Sequence, residues 1–346
     1  MRKMECLLIA DDLTGACDSA VHFVAAGMRT WVPLGVEPAP TDAKVIACST
    51  ESRDIDPAEA VCRIRRLAGA MRSREPRIIF KKIDSVLRGN TGMEIVAALE
   101  AFACDAAVVN PAFPAMGRVV SSGALRVPCD AGFAPVALAP WLRAHGACDC
   151  AHALPGSVAD AIDAGARFVS TDAVCHNDLD ALAAETLACG RRILWAGSGG
   201  LARALARHLA SAPEPPLEAA PIRGPVLFCV GSDHPVTVEQ QRRLVEQRPG
   251  QHAVLAISCG SLGADVLRES LSVRRPAALF VTGGETASLV CAAINAQSIE
   301  LKREFLPGIP LGILHGGSLH GLPLLTKSGG FGAPDDLIRI ADYFHA

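Results

Sequence analysis

The chain has 346 residues and a mass of 36.1 kDa, a length that favours two domains over one. Half of its residues are hydrophobic and 20% are charged, so it can bury a sizeable core and is neither a disordered nor a fibrous protein. Its formal net charge is −3 and only 4% of its residues are aromatic. This composition argues against nucleic-acid binding, which needs a basic surface and stacking side chains.

The N-terminal residues predict neither a secretion signal nor a membrane anchor. The apolar run that begins at Cys6 ends at Asp11 and Asp12, and no other segment offers the roughly 18 consecutive apolar residues of a membrane span. The thirteen cysteines are an odd number, and most lie inside apolar runs, such as those around Cys6, Cys48, Cys229 and Cys291. We therefore expect a soluble, cytoplasmic protein in which the cysteines of these runs are small buried side chains.

One tight group of cysteine and histidine residues, CDCAH, occupies positions 148–152. A structural zinc site would need a second pair of ligands at a suitable spacing, and the sequence offers none. We expect a loop with incidental thiols at this place.

Short apolar runs of β type alternate with segments of helical period along almost the whole chain. In the N-terminal part, strands are predicted at 6–10, 45–48, 78–81, 107–110, 168–170 and 193–196, and helices at 14–26, 57–72, 91–102, 179–189 and 201–209. In the C-terminal part, strands are predicted at 226–230, 254–257, 278–282 and 324–326, and helices near 236–246, 285–296 and 334–343. This alternation predicts an α/β protein with mainly parallel sheets.

A proline-rich stretch at residues 211–225 breaks both periodicities. Such a stretch is typical of a linker. The sequence therefore predicts two α/β domains, at 1–210 and 226–346, joined by this linker.

Charged residues follow three of the predicted N-terminal strands, at the strand ends where parallel sheets bind ligands. Asp11 and Asp12 follow the first strand and Arg53 follows the second. The third strand runs into a segment that contains Lys81, Lys82, Asp84, Ser85 and Arg88. Cations facing carboxylates suit a small anionic, hydroxylated ligand, and helix capping and a solvated charged loop are the alternatives. For the segment 108–123, which contains Arg118, a rigid loop and a binding role both stay open.

Glycine rather than charge marks the strand ends of the C-terminal part. The segments 230–237 (VGSDHPVT), 281–288 (VTGGETAS) and 326–334 (TKSGGFGAP) each follow an apolar strand and open a helix. Backbone N–H groups at such places bind phosphate, although glycine also serves in helix caps and tight turns. Three such loops on successive strands predict a nucleotide phosphate site.

The signatures of a P-loop, of a zinc protease helix and of a serine-hydrolase elbow are missing from the sequence. The segment 197–202 (GSGGLA) fits a dinucleotide-binding pattern, which would want an acidic residue at the end of the next strand. The acidic residues at that distance, Glu214 and Glu218, lie in the predicted linker. We favour close helix–strand packing there and keep an NAD-dependent dehydrogenase as an alternative function.

Seven motifs occur in order over nearly the whole chain: IADDLTGACDSA, FKKIDSVLRGNTG, NPAFPAMGR, WAGSGGLARALA, VGSDHPVT, VTGGETAS and TKSGGFG. Together they resemble the four-carbon acid sugar kinase family. The resemblance implies ATP-dependent phosphorylation of the terminal hydroxyl of acids such as D-threonate, D-erythronate or 3-oxo-tetronates. It also implies an N-terminal domain that binds the acid sugar, a C-terminal domain that binds ATP, and an active site in the cleft between them.

The resemblance also implies residue roles. Those on the acid-sugar side are Asp12, Arg53, Lys82, Asp84 and Ser85, to which the charge pattern adds Lys81 and Arg88. Those on the nucleotide side are Ser232, Gly283, Gly284, Glu285, Thr286 and Gly329, and the loop around the last of these adds Lys327 and Gly330. The segment between the strands at 254–257 and 278–282 is shorter than is usual in the family, which weakens inferences about ATP contacts there.

The mechanism expected from these roles is in-line transfer of the γ-phosphoryl group, with Mg²⁺ neutralising the phosphates. Arg53 and Lys82 would hold the carboxylate and hydroxyls of the acid, and Asp12, or else Asp84, would accept the proton of the attacking hydroxyl. The segment FKKIDS is more like the threonate and erythronate branch. The metal ligands and formation of a homo-oligomer stay open, and a non-catalytic sugar-acid sensor is the remaining alternative.

Overall fold

The computed structural model describes residues 4–35, 40, 42–128, 130, 132–210, 223–250, 252–256, 269, 271 and 276–345. Their backbone divides into two compact units, unit 1 with Met1–Asp12 and Lys44–Ser211, and unit 2 with Leu13–Ala43 and Ala212–Ala346. The predicted linker lies outside the described residues except for 223–225, and so does most of the short segment 258–277.

The elements alternate as the sequence pattern suggests. The strands are β1 Cys6–Ala10, β2 Thr30–Pro33, β3 Val45–Ser49, β4 Ile78–Lys82, β5 Ala106–Asn110, β6 Val119–Ser121, β7 Ala124–Arg126, β8 Val136–Ala137, β9 Cys150–Ala153, β10 Phe168–Thr171, β11 Ile193–Gly197, β12 Val226–Val230, β13 Ala253–Ala256, β14 Ala278–Thr282, β15 Ser298–Leu306, β16 Ile309–His315 and β17 Pro323–Lys327. The helices are α1 Leu13–Ala25, α2 Pro57–Met71, α3 Thr91–Ala101, α4 Leu138–Ala144, α5 Val158–Asp163, α6 His176–Ala188, α7 Gly199–Leu209, α8 Pro235–Gln247, α9 Gly284–Ala293 and α10 Asp336–His345.

Unit 1 is built on a parallel sheet with the strand order β3-β1-β4-β11-β5-β10-β9. All five residues of β1, of β4 and of β11 are buried, as expected for a parallel sheet covered on both faces. Helices α2 and α3 pack together, as do α6 and α7. A small antiparallel sheet, β6-β7-β8, follows β5.

Unit 2 has the strand order β13-β12-β14-β17-β16-β15-β2. The first four strands are parallel, and β16, β15 and β2 extend the sheet in antiparallel pairs. Helix α1 packs on β15, β2 and α9, and α8 packs on α10. The core contains Phe228, Phe280, Leu325 and Phe344, all fully or almost fully buried.

The α/β class with a mostly parallel sheet is confirmed, but unit 2 contains antiparallel strands that the sequence analysis missed. Strand β15 has the sequence SIELKREFL, in which charged residues obscure the apolar pattern. The residues of α1 and β2, placed by the sequence in the N-terminal domain, lie in unit 2 because β2 pairs with β15. A helical period shows that a helix buries one face and does not show which sheet it covers.

The expected loop at 148–152 is in part a strand, since Cys150–Ala153 pairs with β10 at the edge of the unit 1 sheet.

Four cysteines expected to be buried are buried, namely Cys6, Cys48, Cys229 and Cys291. Burial raises the pKa of the Cys48 and Cys229 thiols to about 12. In the described part of the chain, every helix is too short or too polar to cross a membrane.

Candidate active site

The charged residues predicted on the sugar side come together at one edge of the unit 1 sheet. Strands β3, β1 and β4 are neighbours in parallel register, so their carboxyl ends lie side by side. Asp11 and Asp12 directly follow β1, Arg53 lies on the turn after β3, and Lys82 ends β4. We call this group, together with Lys81, Asp84, Arg88 and Glu94, the charged cluster.

Arg53 is held by both aspartates of the first motif. Its Nε and Nη2 donate to Asp11 Oδ2 and Oδ1, each at 2.8 Å, and its Nη1 pairs with Asp12 Oδ2. Burial opposes ionisation of Arg53, but Asp12 and Asp11 together raise its pKa. Burial would raise the pKa of Asp11, and Arg53, Lys81 and Lys82 lower it instead. All three nitrogens of Arg53 are therefore engaged by carboxylates.

The two lysines at the end of β4 differ in what they contact. Lys81 is fully buried and pairs with Glu94 Oε2 at 3.1 Å, and Ser52 donates a hydrogen bond to the other Glu94 oxygen. Among the described residues, Lys82 Nζ donates to one acceptor, Ile83 O, at 3.0 Å, and it interacts electrostatically with Asp11 and Asp84. Lys81 is therefore held by Glu94 inside the unit, whereas the Lys82 ammonium makes a single hydrogen bond to the described part of the chain.

Asp84 organises the turn that follows β4. Its Oδ1 accepts from the N–H groups of Val86 and Arg88, at 2.9 and 3.3 Å, and its Oδ2 accepts from Arg88 Nη2 at 2.6 Å. Burial would raise the pKa of Asp84, but the hydrogen bond from the Arg88 side chain and the charges of Arg88, Arg53 and Lys82 hold it well below its usual range. Ser85 lies half-buried in the same turn, and the Arg88 side chain is largely exposed.

A close approach joins this turn to the Arg53 loop. Gly89 has φ +70°, and a Cβ there would lie 2.8 Å from Arg53 O. Asn90 Nδ2 donates to the carbonyls of Ser52 and Ile55, at 2.8 and 2.9 Å. Sequence reasoning did not assign Asp11 or Glu94 a role, although the DD pair itself was a signal for Asp11.

The glycine loops of unit 2 also come together, at the carboxyl ends of β12, β14 and β17. Gly283 N donates to Lys327 O at 3.0 Å, and Thr237 Oγ1 donates to Gly329 O at 2.7 Å. A Cβ on Gly329 would lie 2.1 Å from Ser232 Oγ. Gly330 faces the His234 ring, which a Cβ would meet at 3.1 Å.

Lys327 lies beneath these loops and not on their surface. Its Nζ is buried and donates to Thr237 Oγ1 at 2.9 Å and to the carbonyls of Ser328, Gly329 and Phe331 at 3.0 to 3.1 Å. Burial lowers the pKa of Lys327 to about 7, and Asp336 opposes this shift. The ammonium is thus occupied by the loop itself, which differs from the direct phosphate contact that the sequence suggested.

The segment after β14 opens α9. Gly283 has φ +98° at the N-cap, where a side chain would be strained, and Gly284 is the first helical residue. Thr286 is buried and Glu285 is exposed. The sequence-predicted nucleotide residues therefore share one edge of the unit 2 sheet.

The dinucleotide-like segment after β11 has a packing role. A Cβ on Gly200 would lie 2.6 Å from Ala112 O, and one on Gly197 would lie 2.6 Å from Leu201 Cβ. Ser198 caps α7 and donates to Ala112 O at 2.6 Å. The small residues allow the helix to approach the sheet closely, as the sequence analysis favoured.

Comparisons with known proteins agree with this division of roles. Residues 6–140 match a family model described as a sugar-binding N-terminal domain, and residues 218–337 match one described as a nucleotide-binding C-terminal domain. A D-threonate kinase of Bordetella bronchiseptica is 34% identical over 396 aligned positions that cover 96% of each chain. The alignment exceeds the 346 residues of this chain, so that relative has segments that this chain lacks.

Two further relatives act on related acids. A D-erythronate kinase of Heliobacterium modesticaldum is 28% identical, with 97% of this chain and 96% of that protein covered. A 3-oxo-tetronate kinase of Pseudomonas fluorescens is 26% identical, with 94% of each covered.

Solved structures show the same architecture. A Bordetella bronchiseptica protein, crystallised with bound citrate as a domain-swapped dimer, is 32% identical, covers 99% of this chain and 98% of its own, and has a TM-score of 0.54. A Haemophilus influenzae protein is 20% identical, and the alignment covers 97% of this chain and 98% of that chain with a TM-score of 0.73. At this identity the comparison shows a likeness of fold.

The fold, the charged cluster and the glycine loops, taken with these comparisons, define a two-unit α/β phosphotransferase. The chain belongs to the four-carbon acid sugar kinase family.

Proposed function

We propose that this enzyme transfers the γ-phosphoryl group of ATP to the terminal hydroxyl of a four-carbon acid sugar, with D-threonate or D-erythronate as the favoured acceptor. The observation that carries the proposal is the charged cluster, in which two aspartates and a lysine lie side by side at the carboxyl end of a parallel sheet. The FKKIDS segment and the 34% identity to a D-threonate kinase support this choice over 3-oxo-tetronates.

On the acid-sugar side, Lys82 supplies positive charge and Asp12 supplies a hydrogen-bond acceptor. A four-carbon acid presents one carboxylate and several hydroxyls, so it needs both kinds of group. The citrate bound to the Bordetella bronchiseptica protein supports carboxylate binding by proteins of this architecture.

Asp12 is the better choice for the group that orients the attacking hydroxyl. Both oxygens of Asp84 accept hydrogen bonds within its own turn, and its lowered pKa makes it a weak proton acceptor. Asp12 pairs with Arg53 through Oδ2 and is anchored from that side. Because phosphoryl transfer has a loose transition state, positioning of the hydroxyl matters more than strong basicity.

On the nucleotide side, the loop after β17 offers backbone donors. The carbonyls of Ser328, Gly329 and Phe331 point toward Lys327 Nζ. In a trans peptide the C=O and the following N–H point in opposite directions, so the N–H groups of Gly329, Gly330 and Gly332 point away from the ammonium. These donors suit phosphate oxygens.

Mg²⁺ would neutralise the nucleotide phosphates during transfer. Among the described residues, no group of three or more His, Cys, Asp or Glu side chains could hold a metal ion by itself. Mg²⁺ in kinases is commonly held through the substrate phosphates and one or two carboxylates, and we propose the same mode here.

The test is ADP release by the purified enzyme with Mg²⁺ and ATP. The acceptors are D-threonate, D-erythronate, their L-isomers and 3-oxo-tetronates, with a reaction lacking acceptor as the control. We expect the strongest release with D-threonate or D-erythronate. If no acid stimulates release although the protein binds ATP, the proposed acceptor class is wrong, and if ATP does not bind, the nucleotide assignment is wrong.

The quaternary structure is tested separately. The domain-swapped dimer of the 32% identical protein supports a homo-oligomer for this chain as well. Light scattering on the eluting gel-filtration peak should then give a mass of at least twice 36.1 kDa.

A further inference from the structure

Arg118 is presented from a rigid turn after β5. Its N–H and C=O both pair with Phe113, at 3.1 and 2.8 Å, and the preceding Gly117 closes the turn in the left-handed region with φ +68°. The backbone position of Arg118 is therefore fixed by local hydrogen bonds before any ligand binds.

The guanidinium of Arg118 is only partly satisfied. Its Nη1 donates to Met116 O at 2.6 Å, while its Nε is buried without a hydrogen-bond partner. In the part of the chain that the structure describes, Arg118 forms no ion pair. A buried charged donor without a partner is costly, so this group calls for an acceptor that the described residues do not supply.

Arg118 lies near the charged cluster. It interacts electrostatically with Asp84 and Arg88, and also with Asp130, which is exposed. The strand between β4 and β5 is β11, whose last residue Gly197 pairs in register with Lys82 on one side and Asn110 on the other. Gly197 itself has no side chain between the two strand ends, and Leu201 packs against this glycine.

Charged groups of both signs surround this site. Among the described residues, the carboxylates of the group are Asp11, Asp12, Asp84 and Glu94. The cations are Arg53, Lys81, Lys82, Arg88 and Arg118. With Asp130, which interacts with Arg118, five carboxylates stand beside five cations.

Arg53, the arginine first expected to bind the substrate carboxylate, has all its nitrogens engaged by Asp11 and Asp12. We propose that Arg118 is a further substrate-binding residue, whose guanidinium receives the carboxylate of the acid sugar together with Lys82. The inference rests on the proposed acid-sugar function of the same site.

The way a carboxylate can bind is set by the guanidinium edge of Arg118 that does not contact Met116 O. With Nη1 on Met116 O, the Nη2 and Nε edge remains for a planar, two-point contact with a carboxylate. Since Nε is shielded from solvent, the side chain must turn slightly to bring it to the ligand. Binding of the acid and reorientation of Arg118 therefore occur together.

The experiment measures binding of D-threonate and of its uncharged amide by calorimetry, with wild type, Arg118→Met and Arg118→Lys. The control is Arg126→Met, which removes an exposed arginine from strand β7 of the neighbouring small sheet. We expect Arg118→Met to bind D-threonate about 10- to 150-fold more weakly, the range of one charged hydrogen-bond contact. Arg118→Lys should lose less, and the KM for ATP should stay unchanged in all variants.

The amide separates a binding role from a structural one. Wild type should prefer the acid to the amide, and this preference should disappear in Arg118→Met. If both Arg118 variants keep the preference, the assignment of Arg118 is wrong even though the site binds acids. If wild type binds neither D-threonate nor D-erythronate, the proposed function fails, and the inference about Arg118 fails with it.

Discussion

The charged cluster of unit 1 consists of ionised side chains, whereas the glycine loops of unit 2 consist mainly of backbone groups. In unit 1, ionised side chains hold one another, as in the contact of Arg53 with Asp11 at 2.8 Å. In unit 2, backbone groups form the surface and one buried ammonium, that of Lys327, holds them from beneath. The first arrangement suits a ligand that carries charged groups, and the second suits a ligand that accepts hydrogen bonds from backbone N–H groups.

This difference predicts different sensitivities to mutation. A surface of side chains is altered by replacing a functional group while its shape is kept, such as aspartate by asparagine. A surface of backbone is altered by adding volume or by removing its support. Changes in unit 1 should therefore act on the acid and the transfer step, and changes in unit 2 on ATP.

The largest expected effect is that of Asp12→Asn. We expect kcat to fall by about 10²- to 10⁴-fold, the usual range for a group that handles the transferred proton, with little change in the KM for ATP. The exposed residue Asp54 provides the control, because Asp54→Asn removes one negative charge from the neighbouring turn. An active Asp12→Asn enzyme alongside an inactive Asp84→Asn enzyme would reverse the roles assigned to these two residues.

The second largest effect is expected when Lys327, which lies beneath the glycine loops of unit 2, is replaced. Lys327→Met removes the buried ammonium that donates to three carbonyls and to the Thr237 hydroxyl, and we expect this loss to cost about 1 to 3 kcal/mol. We expect the KM for ATP to rise by about 5- to 150-fold and the KM for the acid to stay near that of wild type. Lys327→Arg, which keeps a cation, should be affected less. Equal losses for both substrates would contradict the separation of roles.

Added volume in the nucleotide loop should have a smaller effect. Gly329→Ala places a methyl group 2.1 Å from Ser232 Oγ, so the loop or the serine must move, and overpacking of this kind costs about 1 to 3 kcal/mol. We expect roughly a tenfold rise in the KM for ATP. Gly35→Ala, at a site with nothing within 4 Å, is the matched control and should leave the kinetics unchanged.

The smallest effect concerns stability and pH. The pKa of Asp84 lies below its usual range in the folded protein, whereas an aspartate in the unfolded chain has a pKa of about 3.9. Asp84 therefore stabilises the fold above about pH 4 and loses this contribution as the pH falls. The difference in free energy of unfolding between wild type and Asp84→Asn should narrow from about pH 6 to about pH 2. The exposed Asp160→Asn should show a difference that stays constant.

Sequence patterns predicted most of the parallel framework. The strands at 6–10, 226–230 and 278–282 have the predicted bounds, because buried parallel strands are continuous apolar runs. The β15–β16 hairpin was missed because its residues face solvent on one side, and charges such as those of Lys302 and Arg303 break the run.

Partner choice within the sites could not be predicted. The sequence placed Arg53, Asp12 and Lys82 at neighbouring strand ends, but any of them could have faced a ligand. Which groups neutralise each other depends on side-chain directions and distances of a few ångströms, which no spacing in the sequence encodes. Lys327 illustrates the point, since a lysine beside a glycine loop resembles a phosphate ligand and instead donates to the carbonyls of that loop.

The composition of the two units has a consequence for dissecting the protein. The polypeptide passes from one unit to the other after Asp12, before Lys44 and after Ser211, so neither unit is a single stretch of sequence. A fragment ending at residue 210 would carry α1 and β2 without β15, the strand that β2 pairs with. Gene fusions that exchange one half for that of a relative would meet the same obstacle, and working chimaeras would have to exchange residues 13–43 together with the C-terminal part.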